Sequence, residues 1–208
     1  MAHPVYKNAA GKRLPSVTTV INRRKEADGM IYAAWKIGFE GKDYKVEWGD
    51  KANSGTLAHS LIHHEAVDMS IYTPDMISKA NNAVAEHDKW KKQSHLVSEC
   101  SEISLVCECH QVGGTIDDVW MQDGERSIGD IKTGKLYPDH LVQCAAYKHL
   151  WEVNFPEKPV LGGFHLLHFD KENADFGHNH FSDLSEAWEA FVHMRALYDL
   201  MEKLKERV

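Results

Sequence analysis

The stretch Val112-Gly-Gly-Thr-Ile-Asp-Asp-Val-Trp-Met-Gln-Asp-Gly-Glu-Arg-Ser-Ile-Gly-Asp-Ile-Lys-Thr-Gly-Lys135 decides how the chain folds. Alternating apolar residues on both sides of Asp123-Gly124 predict two antiparallel strands joined by a type I′ turn, whose two central residues both need φ > 0. A two-residue loop places Gln122 opposite Glu125, and the same register carried back along the strands places Asp117 opposite Asp130. Directly opposed residues have Cβ atoms about 4.5–5.5 Å apart, and Lys132, two residues beyond Asp130, shares their face. Two carboxylates and one ammonium converge.

Like charges directly opposite one another destabilise a sheet, so this pairing calls for a compensating cation. Carboxylate oxygens suit Mg²⁺ or Mn²⁺, which leave coordination positions to water and substrate phosphate. Lys132 can orient or activate a metal-bound water and neutralise charge that develops on a phosphate. That set fits phosphodiester hydrolysis. The competing reading is a pair of solvated aspartates near a turn, with the Asp-x-Lys triplet a chance occurrence. Asp118, opposite Gly129, alternates onto the other face and reads as the residue with no part in the site.

Outward from the hairpin, Glu102–His110 alternates as a strand, and Gly113-Gly114 is expected to turn it into the hairpin as a three-stranded meander. Upstream, a short strand is expected around Val5-Tyr6, then a turn at Gly11. Pro15-Ser16 opens a helix, and Met30–Phe39 reads as another, with Tyr32 and Trp35 on its apolar side and Trp35 in the core. Leu57, Leu61, Ile62 and Ala66 mark a helix over Ser54–Val67. His59 and His63 lie four apart on one face of it, a geometry able to chelate a metal, with His63 and His64 otherwise half-exposed. An amphipathic helix follows over Asp75–Lys92.

Downstream, a helix over about Asp139–Trp151 sets Gln143 and Tyr147 on one face. Val160–Asp170 and Phe176–Phe181 read as strands joined by a turn at Asn173. Asp183-Leu-Ser-Glu186 offers a capping box before a C-terminal helix. The element order predicts a mixed α/β fold.

The length of 208 residues fits a single domain with a sizeable core, and no repeat or low-complexity linker divides it. No signal-peptide core or bilayer-length apolar run occurs, so a soluble, cytoplasmic protein is expected. A net charge of −7 argues against holding nucleic acid through a broad basic surface, though not against local contacts. Lys12-Arg13, Arg23-Arg24-Lys25, Lys89 and Lys91-Lys92 are candidates for these, and Thr133 and Lys135 for contacts just beyond the catalytic strand. Four cysteines are too few for a disulfide scaffold. A zinc cluster of His59, His63, Cys107 and Cys109 is one alternative, although neither pair has a specific zinc-motif context.

Four motifs in order resemble the PD-(D/E)XK nuclease superfamily. They are Gly55-Thr-x-x-His59, Gly114-Thr-Ile-Asp117, Asp130-Ile-Lys132 and Gln143-x-x-x-Tyr147. The branch they resemble contains RecB-type domains, CRISPR-adaptation nucleases, phage exonucleases and the mitochondrial genome maintenance exonuclease. Leu14-Pro-Ser-Val-Thr-Thr19 is similar to the start of several members, so the likeness covers roughly residues 14–170. It implies a restriction-endonuclease-like core, a central mixed β-sheet with an antiparallel catalytic hairpin flanked by helices. One domain would span 1–208, with a helical part over about 14–95, a catalytic core over about 99–181 and a C-terminal helix over about 183–207. It further implies that His59, Asp117, Asp130 and the Ile131 carbonyl hold Mg²⁺ or Mn²⁺, and that Lys132 is the catalytic lysine. Gln143 and Tyr147 would support the site and the DNA.

Two departures stand out. His63 occupies the position where many relatives carry a second-metal Glu, and Glu65 is out of helical phase. No Cys follows Cys144, so no iron–sulfur cluster is expected. The expected function is a metal-dependent DNA nuclease, foremost an exonuclease on linear or single-stranded DNA in phage recombination or DNA processing. A structure-specific or restriction-like endonuclease and a non-catalytic nucleic-acid-binding module are the alternatives. Homo-oligomerisation stays open.

Overall fold

The computed structural model describes residues 4–23, 28–169 and 176–208. The expected turn at Asn173 and the pair Arg24-Lys25 lie outside them. Six helices, α1 (Val17–Asn22), α2 (Asp28–Phe39), α3 (Tyr44–Ile62), α4 (Pro74–Ser94), α5 (Pro138–Asn154) and α6 (Ser185–Lys205), surround a five-stranded sheet among the described residues. The strands are β1 (Val97–Cys107), β2 (Val112–Gln122), β3 (Glu125–Thr133), β4 (Phe164–Phe169) and β5 (Phe176–Phe181), in spatial order 1-2-3-4-5. Only β3 and β4 run parallel, because α5 carries the chain back between them; the other pairs are antiparallel. The fold is therefore mixed α/β, as the element order predicted. No described helix is long and apolar enough to cross a membrane.

The hairpin forms in the expected register, with Gln122 opposite Glu125 and Asp118 opposite Gly129. Asp123 and Gly124 take φ values of 52° and 86°, as a type I′ turn demands. Each face of the sheet carries its own core. Val17, Ile116, Val119, Ile128, Leu150, Trp151 and Phe191 pack where α1, α5 and α6 cover one face. Leu57, Ala83, Trp90, Trp120, Ile131 and Leu167 pack where α3 and α4 cover the other.

Several expectations are corrected. Gly113 and Gly114 do not turn the chain: residues 108–111 do so, and both glycines lie inside β2, opposite Val106 and Leu105. They are there for close packing. A Cβ on Gly113 would sit 2.2 Å from the Tyr6 ring, and one on Gly114 would sit 2.8 Å from Leu150 Cδ1 and 2.9 Å from Tyr147 Cε1. Around Tyr6 the chain makes only an isolated bridge, Lys7 to Arg13. Helix α3 begins at Tyr44, capped by the Asp43 carboxylate, and stops at Ile62 because His64 turns into the left-handed region.

Trp35 is not core. It is 59% exposed and stacks between exposed Tyr32 and Phe39 along α2, with ring centroids 5.8 and 5.6 Å apart. The capping box at Asp183 does not form. Leu184 is the N-cap of α6, and the Asp183 carboxylate accepts instead from the backbone N–H and hydroxyl of Ser185, one residue out of phase.

Two tests follow from this packing. Gly114→Ala drives a methyl into Leu150 and Tyr147, and overpacking of this kind costs about 1–3 kcal/mol. It lowers the urea midpoint without changing the slope of the unfolding curve. His165 is buried on β4, beside the rings of His178 and His180 at 5.1 and 4.7 Å. Burial, reinforced by the charges of those two histidines, pushes its pKa down to about 3. A base depressed in the folded state leaves the unfolded chain binding more protons below its ordinary pKa. The stability from neutral His165 is complete above about pH 6.5 and is lost as pH falls towards 3. Chemical denaturation from pH 7 to 4 gives a shallower loss in His165→Gln than in wild type.

Candidate metal centre

The site forms where regular alternation on β2 fails. Ile116 and Val119 both pack on the α5 side, although residues three apart in a strand point to opposite faces. The β1–β2 ladder skips Glu102 and Asp117, and Glu102 takes a φ of 52°. This irregularity has the character of a bulge, which re-aims side chains. Here it releases Asp117 and Glu102 from the pleat at the place where His59 of α3 arrives.

Asp117, Asp130 and Lys132 meet as expected. Asp130 is 0% exposed, and Lys132 Nζ donates to its Oδ1 at 2.7 Å. Oδ2 lies at the same distance from that ammonium but off the hydrogen-bonding direction, and has no hydrogen-bond partner among the described residues. Asp117 Oδ2 accepts the Ile131 N–H at 3.0 Å, and the Asp117 carboxyl also reaches Asp130. Burial, with the Asp117 charge beside it, raises Asp130 to about 7. Burial works against the charge on Lys132, but the Asp130 and Asp117 carboxylates outweigh it and raise its pKa.

His59 lies against this group, beside the backbone of Ile131 and within the field of the Asp117 charge. Burial nevertheless lowers its pKa, which leaves the neutral ring that ligation requires. Gln143 Nε2 donates to the Tyr147 hydroxyl at 2.7 Å on α5, and burial raises the Tyr147 phenol well above its ordinary value. Both side chains are buried behind the acids. A cleft of about 240 Å³ opens onto Glu102 and Asp117, with Tyr6, Ser16, Thr18 and Tyr147 in its walls.

Three residues that sequence reasoning set aside belong here. Asp118 is 4% exposed and accepts from Ser101 Oγ at 2.6 Å and Ser98 Oγ at 3.2 Å. It does alternate away from Asp117, but the face it reaches is covered by α3 and α4 rather than by solvent. His63 is not half-exposed. Its side chain is 7% exposed, with Nε2 between Glu102 Oε1 at 3.5 Å and Asp118 Oδ2 at 3.9 Å and without a hydrogen bond. Glu65 escapes the helical-phase objection because α3 has already ended; it accepts from Ser60 Oγ at 2.7 Å and adds to the negative charge around Glu102.

Glu102 is the residue that sequence reasoning missed. His59, His63 and Glu102 offer ligand atoms within 4.8 Å of one another. The signal was available: Glu102 alternates with Ile103, Leu105 and Cys107, so it faces away from the α5 core. Its positive φ was not legible. The expected cluster of His59 and His63 with Cys107 and Cys109 does not form, since the cysteines gather instead with His149.

The chain matches no family model and no curated protein. Among solved structures it is similar to a candidate exonuclease from Eubacterium rectale, at 13% identity and a TM-score of 0.46, over 84% of this chain and 65% of that one. It is also similar to SSO0001, at 11% identity and a TM-score of 0.39, over 64% and 63%. The chain spans slightly under two thirds of either protein.

The fit to a cation rests on the donors themselves. Three carboxylates, Asp117, Asp130 and Glu102, gather about Lys132 and the His59 and His63 imidazoles, with Asp118 beside His63. Glu102 measures the strain: burial, then the charges of Asp117, Glu65 and Asp118, raise it to about 7. A carboxyl raised in the folded state makes stability fall as pH climbs from its ordinary value near 4.5 to about 7. Metal-free Glu102→Gln is accordingly more thermostable than wild type at pH 8, equal to it below pH 4.5, and gains less from added Mn²⁺. Thermal melts with and without Mn²⁺ across that range check all three.

Proposed function

We propose that the chain is a divalent-cation-dependent nuclease of the PD-(D/E)XK type, acting on the ends or single strands of DNA. One observation carries this reading: a fully buried carboxylate, Asp130, faces Asp117 beside the ammonium of Lys132, which lies 2.7 Å from both Asp130 oxygens.

His59, Asp117, Asp130 and the Ile131 carbonyl would hold the ion, with Glu102 and His63 at hand for a second. Carboxylate and carbonyl oxygens suit Mg²⁺ and Mn²⁺ alike, and imidazole nitrogens favour Mn²⁺. When bound, such an ion supplies Lewis-acid polarisation of the phosphate and neutralises its charge. The remaining steps belong to the chain. Lys132, 2.7 Å from Asp130, is placed to donate a hydrogen bond to a phosphoryl oxygen and to orient the attacking water. Water adds to phosphorus in line as the ester P–O bond breaks, giving a phosphate monoester and a hydroxyl. Gln143 and Tyr147 are positioning residues that fix α5 behind the acids.

The cleft walls include Tyr6, Ser16 and Thr18, hydroxyl-bearing residues of a kind that contacts sugar and phosphate without reading bases. The open stack of Tyr32, Trp35 and Phe39 offers faces on which unpaired bases stack. Both features favour a sequence-tolerant substrate. Neither needs a net positive chain.

The test incubates end-labelled linear single- and double-stranded DNA and closed circles with Mg²⁺ or Mn²⁺. The expected result is loss of linear DNA alone, faster with Mn²⁺, and a decrease of about 100-fold or more in Asp130→Ala and Lys132→Ala. Cleavage of circles assigns an endonuclease. Folded wild-type protein that binds DNA but cuts none of these substrates overturns the catalytic reading in favour of a binding module.

A further inference from the structure

Cys107 ends β1, Cys109 lies on the turn that follows, and His149 projects from α5 to meet both. His149 Nε2 is 3.6 Å from Cys107 Sγ and 3.7 Å from Cys109 Sγ, and the two sulfurs are 2.9 Å apart. We propose that these three residues form a thiolate–imidazole site for Zn²⁺, separate from the acidic centre.

Geometry carries the proposal. Tetrahedral Zn²⁺, with bonds of about 2.3 Å to sulfur and about 2.0–2.1 Å to nitrogen, sets sulfur about 3.6 Å from nitrogen and about 3.8 Å from a second sulfur. Both sulfur–nitrogen distances already match. The sulfurs must part by about 0.9 Å to reach that spacing. A χ1 adjustment of Cys109 supplies this movement, because Cys109 is exposed whereas Cys107 is buried.

The surroundings are built for ligation. The turn backbone is clamped by Arg195 of α6, which donates to the carbonyls of His110 and Gln111 at 2.9 and 3.2 Å. The His110 N–H points at Cys107 Sγ at 3.4 Å, a contact that favours a thiolate, whereas burial and the neighbouring Cys109 push the metal-free thiol up to about 11, a shift that ligation must overcome. Trp188 stacks on the His149 ring at 4.2 Å and 23°, fixing its orientation as an outer-shell partner does. Burial lowers the His149 pKa, so the ring is neutral, as ligation requires. Three protein donors leave the fourth tetrahedral position to water. The soft thiolates separate this site from the oxygen-rich one that suits Mg²⁺ and Mn²⁺.

Binding displaces the two thiol protons: each sulfur forms a bond to Zn²⁺ as a thiolate, both protons pass to solvent, and no redox step is involved. The ion would tie the β1–β2 turn to α5 and raise the melting temperature by mass action.

The test measures zinc by mass spectrometry of metals in wild type, Cys109→Ser and His59→Ala, each purified under reducing conditions with zinc and then desalted. Alongside it, thiol reactivity is followed in folded wild type with and without zinc, and circular dichroism confirms folding of the variants. The expected result is one zinc in wild type and His59→Ala, none in Cys109→Ser, and protection of the exposed Cys109 thiol on zinc addition. Replacement by Co²⁺ then gives the thiolate charge-transfer absorption of a tetrahedral site. Zinc lost from His59→Ala but kept in Cys109→Ser assigns the ion to the acidic centre and overturns the proposal. So does a wild type with no zinc whose thiols stay freely reactive, or one whose intact mass under non-reducing conditions reveals a Cys107–Cys109 disulfide. The zinc measurement does not depend on DNA cleavage, so failure of the nuclease reading leaves it standing.

Discussion

Negative charge concentrated in a place with little water is the constraint on which the rest of this structure depends. Asp117, Asp118, Asp130 and Glu102 converge from two adjoining strand pairs, and Asp130 has lost all contact with solvent. Coulomb repulsion between such groups grows as the local dielectric falls, and burial of each charge adds its own desolvation cost. Lys132 offsets part of this through a direct ion pair with Asp130, and the Ile131 N–H offsets part through Asp117. The balance appears as the raised carboxyls of Asp130 and Glu102. A fold that keeps such an arrangement forgoes the stability that apolar replacements would give, which is the usual mark of a site kept for its chemistry.

The backbone irregularity is what makes the convergence sterically feasible. In an unbroken pleat, Glu102 and Asp117 would be a registered cross-strand pair with their carboxylates fixed side by side. Moving Glu102 into the left-handed region costs of order 1 kcal/mol or more for a non-glycine residue. In exchange, Glu102 turns towards the α3 histidines while Asp117 turns towards Ile131 and Asp130. Gly114 acts from the next turn of the pleat. Its missing side chain lets Leu150 and Tyr147 close onto β2, so that α5 seals the back of the acids. Gly129 does the same on the opposite face, where a Cβ would meet the Trp120 ring at 2.6 Å.

Much of this was legible from local rules. The Asp-Gly turn fixed the β2–β3 register, and with it the meeting of Asp117, Asp130 and Lys132, because a two-residue loop leaves no freedom of pairing. Helical spacing likewise set His59 beside His63 and Gln143 beside Tyr147. What was not legible depended on contacts between segments far apart in sequence. Gly113-Gly114 has the composition of a turn, and only the positions of Tyr6 and Leu150 reveal that both glycines make room within a strand. Alternation assigned Asp118 to the second face correctly, yet nothing local states that α3 and α4 cover that face. Trp35 illustrates the converse: an apolar helix face suggests burial, but α2 has no partner on that side among the described residues, and its rings remain in the open.

Strand β2 therefore joins two kinds of chemistry, one at its middle and one at its start. At its middle are carboxylates with imidazoles at the margin; at its start the turn from β1 brings two thiols to an imidazole on α5. Thiolates bind Zn²⁺ far more strongly than Mg²⁺ or Mn²⁺, whereas the oxygen set offers the hard cations their preferred ligands. The same helix serves both: Tyr147 of α5 backs the acids, and His149, two residues on and so on another side of the helix, reaches the thiols. Locking the thiol end would hold α5 in place, and with it the wall against which Asp117 and Asp130 are set.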